Sequence, residues 1–188
     1  MRVVGGIHRG RKLIPPGGNA IRPTTDRMRE TIFNILSHYP AGLAGTMGLA
    51  GARVLDVFAG TGAMGIEALS RGACHATFFD RDRKALQLVK KNIALLGLED
   101  IVTIKSVTAP RFPPSKDSYD IIFLDPPYRL DIIPEVIHSL KENGYLAGNC
   151  MIIAEYPSGR ILELPEYLSI HKEKSCGEAH ISFLIYTP

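Results

Sequence analysis

The sequence predicts an α/β fold, a mostly parallel sheet with helices on both faces. From Arg53 onward, short apolar runs alternate with amphipathic stretches, the signature of βαβ units. The tail "YLSIHKEKSCGEAHISFLIYTP" instead holds two extended runs joined through Gly177, which reads as an antiparallel hairpin closing the sheet. The chain of 188 residues is long enough for one well-buried domain and short for two.

In chain order, "RVVGGIHRGRKLI" has apolar ends around a basic, Gly-rich middle and predicts a small hairpin. "RPTTDRMRETIFNILSHY" predicts a helix capped by Thr or Asp, with Met28, Ile32, Phe33 and Leu36 at helical spacing and Pro40 ending it. The Gly/Ala stretch 41–52 reads as a connector. "RVLDVF" is the first strand. "GAMGIEALSRG" is a helix turning Met64, Ile66, Ala68 and Leu69 inward and stopping at Gly72. "HATFFD" is the second strand, and "RDRKALQLVKKNIALLG" a longer helix with Leu86, Val89, Ile93 and Leu96 on one face, ended by Gly97. "IVTIKS" and "YDIIFL" are further strands, followed by a helix from about Leu130 to Glu142 and a fifth strand in "LAGNCMIIAEY". The expected division is 1–40, a basic appendage, and 41–188, the core, within one structural domain.

Apolar and charged contents are ordinary, which excludes disordered and membrane classes. No apolar run approaches the roughly 18 residues of a spanning helix. The N-terminus carries glycines and charges where a secretory signal would be apolar, so the expected location is cytoplasmic. Cys74, Cys150 and Cys176 lack paired spacing, so neither a disulfide framework nor a metal site is expected. The net charge of +3 is uneven. Residues 1–30 hold seven Arg/Lys against Asp26 and Glu30, giving +5 and leaving −2 for the rest. A basic arm on a slightly acidic body suggests a polyanionic partner.

Two motifs carry chemistry. Gly60-x-Gly62-x-x-Gly65 follows a strand directly and opens a helix. Glycines there let the backbone turn sharply and approach a ligand at the carboxyl edge of the sheet. Asp80, twenty positions after Gly60 at the tip of the next strand, can accept both ribose hydroxyls of an adenosine-containing cofactor. A dinucleotide fits this much, with its pyrophosphate on the helix N-terminus. So does S-adenosylmethionine, for which Asp56 is placed to meet the ammonium or to pin the loop. The string Asp56-x-Phe58-Ala59-Gly60-Thr61-Gly62-x-x-Gly65 with the later acid resembles motif I and the ribose acid of class I methyltransferases. Phe58, Ala59, Thr61 and Arg81 join the candidate cofactor residues on that basis.

The second motif, Asp125-Pro126-Pro127-Tyr128, ends the strand "YDIIFL". Strands one and four are neighbours in the order expected for such a sheet, so this corner emerges beside the glycine loop. Prolines stiffen it and leave carbonyls free to accept. The Asp125 carboxylate and the Pro126 carbonyl can together accept both hydrogens of an exocyclic amine, and Tyr128 offers its ring a stacking surface. Two in-plane acceptors favour pyramidalisation of the amine and aim its lone pair at a sulfonium methyl. Once methylated, the nitrogen is acidic enough for a carboxylate of ordinary pKa to take its proton. The predicted activity is amino-methyl transfer, with Asp125, Pro126, Pro127 and Tyr128 as catalytic candidates. The tetrapeptide alone leaves adenine N6, guanine N2 and protein glutamine open.

The N-terminus narrows the choice. "RVVGGIHRGRKLIPP" and "RPTTDRMRETIFNIL", with "LDVFAGTGAMGIEALSRGA" and "IIFLDPPY", closely resemble the RsmD-type family of bacterial ribosomal RNA guanine-N2 methyltransferases. The resemblance implies a Rossmann-like class I methyltransferase sheet of seven strands, the last antiparallel. It implies S-adenosylmethionine as cofactor and methylation of one guanine of 16S rRNA (position 966 in the standard rRNA count), in an assembling small subunit, by a monomer without metal. Arg9, Arg11, Lys12, Arg22 and Arg27 would contact RNA phosphates, with the target base flipped out to meet Tyr128. Phe33 and Asn34 would lie on a helix near the cofactor, while Thr25 and Asp26 could merely cap or brace that helix. One departure is that related enzymes place Asp or Asn against the cofactor's adenine where this chain has Val107, leaving Thr108 or a backbone carbonyl to substitute. The segment with Pro110, Pro113 and Pro114 also reads as loop where the family tends to be helical.

Of the rivals, a DNA adenine methyltransferase would need a separate sequence-reading domain, for which there is no room. An RNA-binding assembly factor without activity would not need the full set Asp56, Gly60, Gly62, Asp80, Asp125 and Tyr128. A dehydrogenase would leave the Asp-Pro-Pro-Tyr corner without a role.

Overall fold

In the computed structural model, which describes residues 1–17, 25–39, 48–127 and 131–188, five parallel strands and a terminal hairpin form one sheet. The elements are α1 (Asp26–Leu36), β1 (Arg53–Asp56), α2 (Ala63–Ser70), β2 (His75–Asp80), α3 (Arg83–Ala94), β3 (Val102–Ser106), β4 (Tyr119–Leu124), α4 (Ile133–Glu142), β5 (Leu146–Pro157), β6 (Leu168–Cys176) and β7 (Ala179–Tyr186). Strand order is β3-β2-β1-β4-β5-β7-β6, with β7 antiparallel to both neighbours. The order reverses between β2-β1 and β4, which places a ligand crevice at the carboxyl ends of β1 and β4.

The expected strands fall where the apolar runs are. The sheet is covered by two cores. On one face Phe33, Ile66, Phe78, Val89, Phe123 and Ile153 pack under α1, α2 and α3. On the other, Leu55, Ile122, Val136, Leu140 and Ile152 pack under α4. The second face lacks a helix between β3 and β4, as the prolines predict. Aromatic rings fill the space instead. Phe112 stacks on Phe79 at 6.2 Å and leans on Tyr145 at 5.7 Å, while the Tyr119 and Tyr145 hydroxyls donate to Thr77 Oγ1 and the Pro113 carbonyl.

Several boundaries differ from the expectation. α4 begins at Ile133, with a proline in its first turn; Leu130 lies outside the described residues, as do Pro40 and connector positions 41–47. α3 closes at Ala94, so Leu96 is buried beyond the helix rather than on its face. The N-terminal arm forms the expected small hairpin, with an Arg2–Lys12 bridge and main-chain bonds from Val3 N–H to Arg11, Gly10 N–H to Val3 and Leu13 N–H to Met1, and it bonds to the core as well. Val4 N–H donates to Glu67, Ile7 N–H to the Ser70 carbonyl, and Ile14 N–H to Asn92 Oδ1 at 2.7 Å. Gly6, at φ 75°, passes so close that a Cβ would lie 1.8 Å from the Ser70 oxygen. Val3 and Leu13 join the main core, so the appendage is packed into the same body.

α1 also carries a buried charge. Thr25 caps the helix, accepting from Met28 N–H, and Asp26 pairs with the fully buried Arg29 at 2.6 Å. Burial lowers the Arg29 pKa from its ordinary value, opposed by Asp26 and Glu67. Among the described residues no helix is long and apolar enough to cross a membrane.

Candidate active site

The glycine loop runs from β1 into α2. Gly60 and Gly62 have φ of 51° and 78°, a region costly for residues with a Cβ. A Cβ on Gly62 would also press on the Val89 side chain at 3.3 Å. The loop is held from below. Ala59 N–H donates to the Phe79 carbonyl at 2.9 Å and Gly62 N–H to Ala59. Asp80 uses both carboxylate oxygens on main chain, accepting from Gly60 N–H at 2.9 Å and Asp82 N–H at 2.8 Å. Asp82 in turn caps α3 through Lys84 N–H.

Asp56, 4% exposed, accepts from Gly65 N–H at 3.2 Å in the first turn of α2. Burial raises its pKa from 3.8 to about 7; the Gly65 bond opposes the shift and the Asp80 charge adds to it. A carboxyl raised in the folded state gives its fullest stability below the unfolded value. Stability then falls as pH climbs from about 4 towards 7, by at most ~1.4 kcal/mol per unit, and levels above. Asn at this position keeps the Gly65 acceptor without that ionisation. Asp56→Asn is therefore expected to gain Tm over the parent at pH 8 and less than half as much at pH 5 in the ligand-free protein. An equal gap at both values in a thermal melt would contradict this account of Asp56.

The β1–β4 register sets Asp56 beside Phe123, so Asp125 emerges next to Phe58. A cleft of about 1090 Å³ takes in both motifs. It is lined by Asp56, Phe58, Ala59, Gly60, Thr61, Asp80 and Arg81 on one side and by Asp125, Pro126 and Pro127 on the other. Pro126 is buried, Asp125 half-buried and Pro127 exposed. Tyr128 and Arg22 lie outside the described residues.

The remaining sequence candidates sort clearly. Gly62 is not a wall of the cleft but shapes its floor. Arg27 lines the cleft; Arg9, Arg11 and Lys12 do not, and stand exposed on the arm. Arg11 also donates to the Leu95 carbonyl. Phe33 and Asn34 are not among the described residues that line the cleft. Phe33 is fully buried against Phe123 at 5.6 Å, under the Arg71 guanidinium. Asn34 is exposed, its carbonyl accepting from Ser37. The helical turn that meets the cleft is one earlier, at Thr25, Met28 and Thr31. Where an adenine acceptor was in question, Val107 and Ala109 line the cleft and Thr108 does not, so that wall is aliphatic.

Sequence reasoning missed Glu155 and the β6–β7 turn from Lys174 to Ala179, which form the far wall. The signal was present. The predicted hairpin beside the fifth strand had to bring its Gly177 turn to the carboxyl edge. No group of His, Cys, Asp or Glu among the described residues could hold a metal ion.

The chain has relatives among known proteins. Residues 1–185 match the family model described as conserved hypothetical protein 95. The chain is 36% identical over 187 residues to ribosomal RNA small subunit methyltransferase D of Escherichia coli strain K12, covering 99% of this chain and 89% of that one. It is 39% identical over 170 residues to the putative rRNA methyltransferase YlbH of Bacillus subtilis, covering 88% and 86%. The solved structure of the putative methyltransferase yhhF from Escherichia coli superposes with a TM-score of 0.84 at 35% identity, over 100% of this chain and 98% of that one.

Proposed function

We propose that this chain, which belongs to the conserved hypothetical protein 95 (RsmD) family, methylates the exocyclic N2 amine of a guanine in small-subunit ribosomal RNA. At the coarser level it is an S-adenosylmethionine-dependent methyltransferase of ribosomal RNA. One observation carries the assignment to an amine: the Asp-Pro-Pro corner and the glycine loop line a single cleft.

The residues fit the cofactor. Gly60 and Gly62 hold a turn that brings main chain to the ligand, and Asp80 stands at the tip of β2, where ribose hydroxyls are accepted. When bound, S-adenosylmethionine supplies a methyl group on a positively charged sulfur. Asp56, with its carboxyl half-ionised near neutrality, is suited to a cationic ammonium, whose arrival favours the charged form.

At the other end, Asp125 and the Pro126 carbonyl accept the two amine hydrogens of the target base. They hold its nitrogen with the lone pair turned out of the ring plane, and the stiff corner keeps that orientation without further ordering cost. Tyr128 stacks on the base. Asp125 then takes the proton that the nitrogen releases, or passes it to water. Residues 1–40 form the RNA-facing appendage and 41–188 the methyltransferase core, with Arg9, Arg11, Lys12, Arg22 and Arg27 on RNA phosphates and an assembling small subunit as substrate.

Changing Arg9, Arg11 and Lys12 to Ala together is expected to weaken RNA binding and flatten its salt dependence. The slope of log K against log salt should fall by about 0.7–0.9 for each phosphate that is no longer neutralised. An unchanged slope would assign the arm to packing alone. The functional assignment itself is tested by mass mapping of modified nucleosides in rRNA from cells lacking the protein. One N2-methylguanosine of small-subunit RNA should disappear and return on complementation. Loss of a different modification, or of none, would refute it.

A further inference from the structure

Asp125 has a carboxylate neighbour whose presence the amine-holding role does not explain. The β4–β5 register pairs Leu124 with Ala154. The next position on each parallel strand sets Asp125 beside Glu155, at the interstrand spacing of about 4.8 Å. Phe123 and Ile153 face the α1 core, and Leu124 and Ala154 the opposite one. The alternation therefore carries Asp125 and Glu155 to the α1 face, where Met28 and Thr31 line the same cleft. Glu155 remains in the sheet, registered with Ile181 of β7, so its backbone position is fixed.

Resting on the methyltransferase assignment above, we infer that Glu155 selects guanine by accepting its ring N1–H, while Asp125 and the Pro126 carbonyl take the adjacent 2-amino group. The donor pattern of the bases decides the matter. Guanine alone places a ring N–H next to an exocyclic amine. Adenine and cytosine carry a ring lone pair beside theirs. An ionised carboxylate can only accept, so Glu155 meets guanine with a charge-assisted hydrogen bond and the other two with opposed lone pairs. Asp125 gives no such discrimination, because it addresses an amine that all three possess. A protein glutamine has no ring N–H to satisfy the second carboxylate either.

The test uses small-subunit particles reconstituted from ligated rRNA carrying guanosine or 2-aminopurine riboside at the target. The analogue keeps the 2-amino group but has a lone pair at N1. The parent protein is expected to favour guanosine in kcat/KM by about a hundredfold or more. In Glu155→Gln the side-chain amide can donate to the N1 lone pair. Its preference should fall at least tenfold, with an absolute rise on 2-aminopurine that separates N1 from the accompanying loss of O6. Glu155→Ala should lose activity on guanosine without that rise. S-adenosylhomocysteine affinity and Tm, measured on each variant, report whether the fold and the cofactor half are intact. Full retention of the parent's preference by folded Glu155→Gln, or equal rates on the two bases by the parent, would overturn the role of Glu155. Failure of the parent to methylate guanosine at all would instead defeat the functional assignment beneath it.

Discussion

Asp125→Ala is expected to lower the rate of methyl transfer roughly 10³-fold while leaving S-adenosylhomocysteine affinity within about threefold of the parent. The separation follows from where the residue sits. Asp125 lies beyond the last paired residue of β4 and lines the cleft from the strand next to the one that carries the glycine loop. The floor of the cofactor half is held by bonds among Phe79, Ala59, Gly60 and Asp80. Its loss removes one of two acceptors that orient the amine and also the group that takes the proton. Asp125→Asn should be nearly as damaging, since an amide presents a donor as well as an acceptor to the same nitrogen. Single-turnover rates with saturating cofactor, set beside calorimetric affinities, decide the point. A normal single-turnover rate on the true substrate would remove Asp125 from the chemistry.

Asp80→Ala should act in the opposite sense, raising the S-adenosylhomocysteine dissociation constant about 100-fold and the cofactor KM in parallel, with kcat at saturation changed only a few-fold. Two losses combine here. The carboxylate no longer meets the ribose hydroxyls, and Gly60 N–H loses the acceptor that fixes the loop at 2.9 Å. Asp80→Asn keeps an oxygen for Gly60 but loses charge, and should fall between the two, near tenfold. Calorimetry with S-adenosylhomocysteine checks both values. Affinity within threefold of the parent for Asp80→Ala would mean that the ribose is held elsewhere.

Most of the sheet was legible because each strand is a compact apolar run bounded by a charge, a glycine or a proline. "HATFFD" and "YDIIFL" map onto β2 and β4 without a shifted boundary. The cofactor half was legible for a related reason, since its glycines and acids act through backbone position and so must sit at fixed places in the chain. Side chains acting through packing were harder. Phe33 and Met28 lie on the same helix, both at apolar spacing, and only the packing of α1 on the sheet decides that Phe33 goes under Arg71 while Met28 reaches the cleft. Periodicity identifies a buried face but not which turn of it ends at a ligand.

The buried polar groups were invisible for another reason. Arg29, Glu67 and Asn92 look like ordinary helix-surface residues in sequence. In the fold the N-terminal arm packs over them and supplies main-chain partners more than sixty residues away for Glu67 and Asn92. Glu155 was missed because a charged residue inside an apolar strand reads as a solvent-facing position, until the register with β4 brings it to Asp125.

The most direct test incubates the purified protein with methyl-labelled S-adenosylmethionine and small-subunit particles lacking the modification, then digests the RNA to nucleosides. Label is expected in N2-methylguanosine alone, approaching one methyl per particle, and none above background with Asp125→Ala. Label in N6-methyladenosine, or transfer undiminished in the variant, would contradict amine methylation at the Asp-Pro-Pro corner.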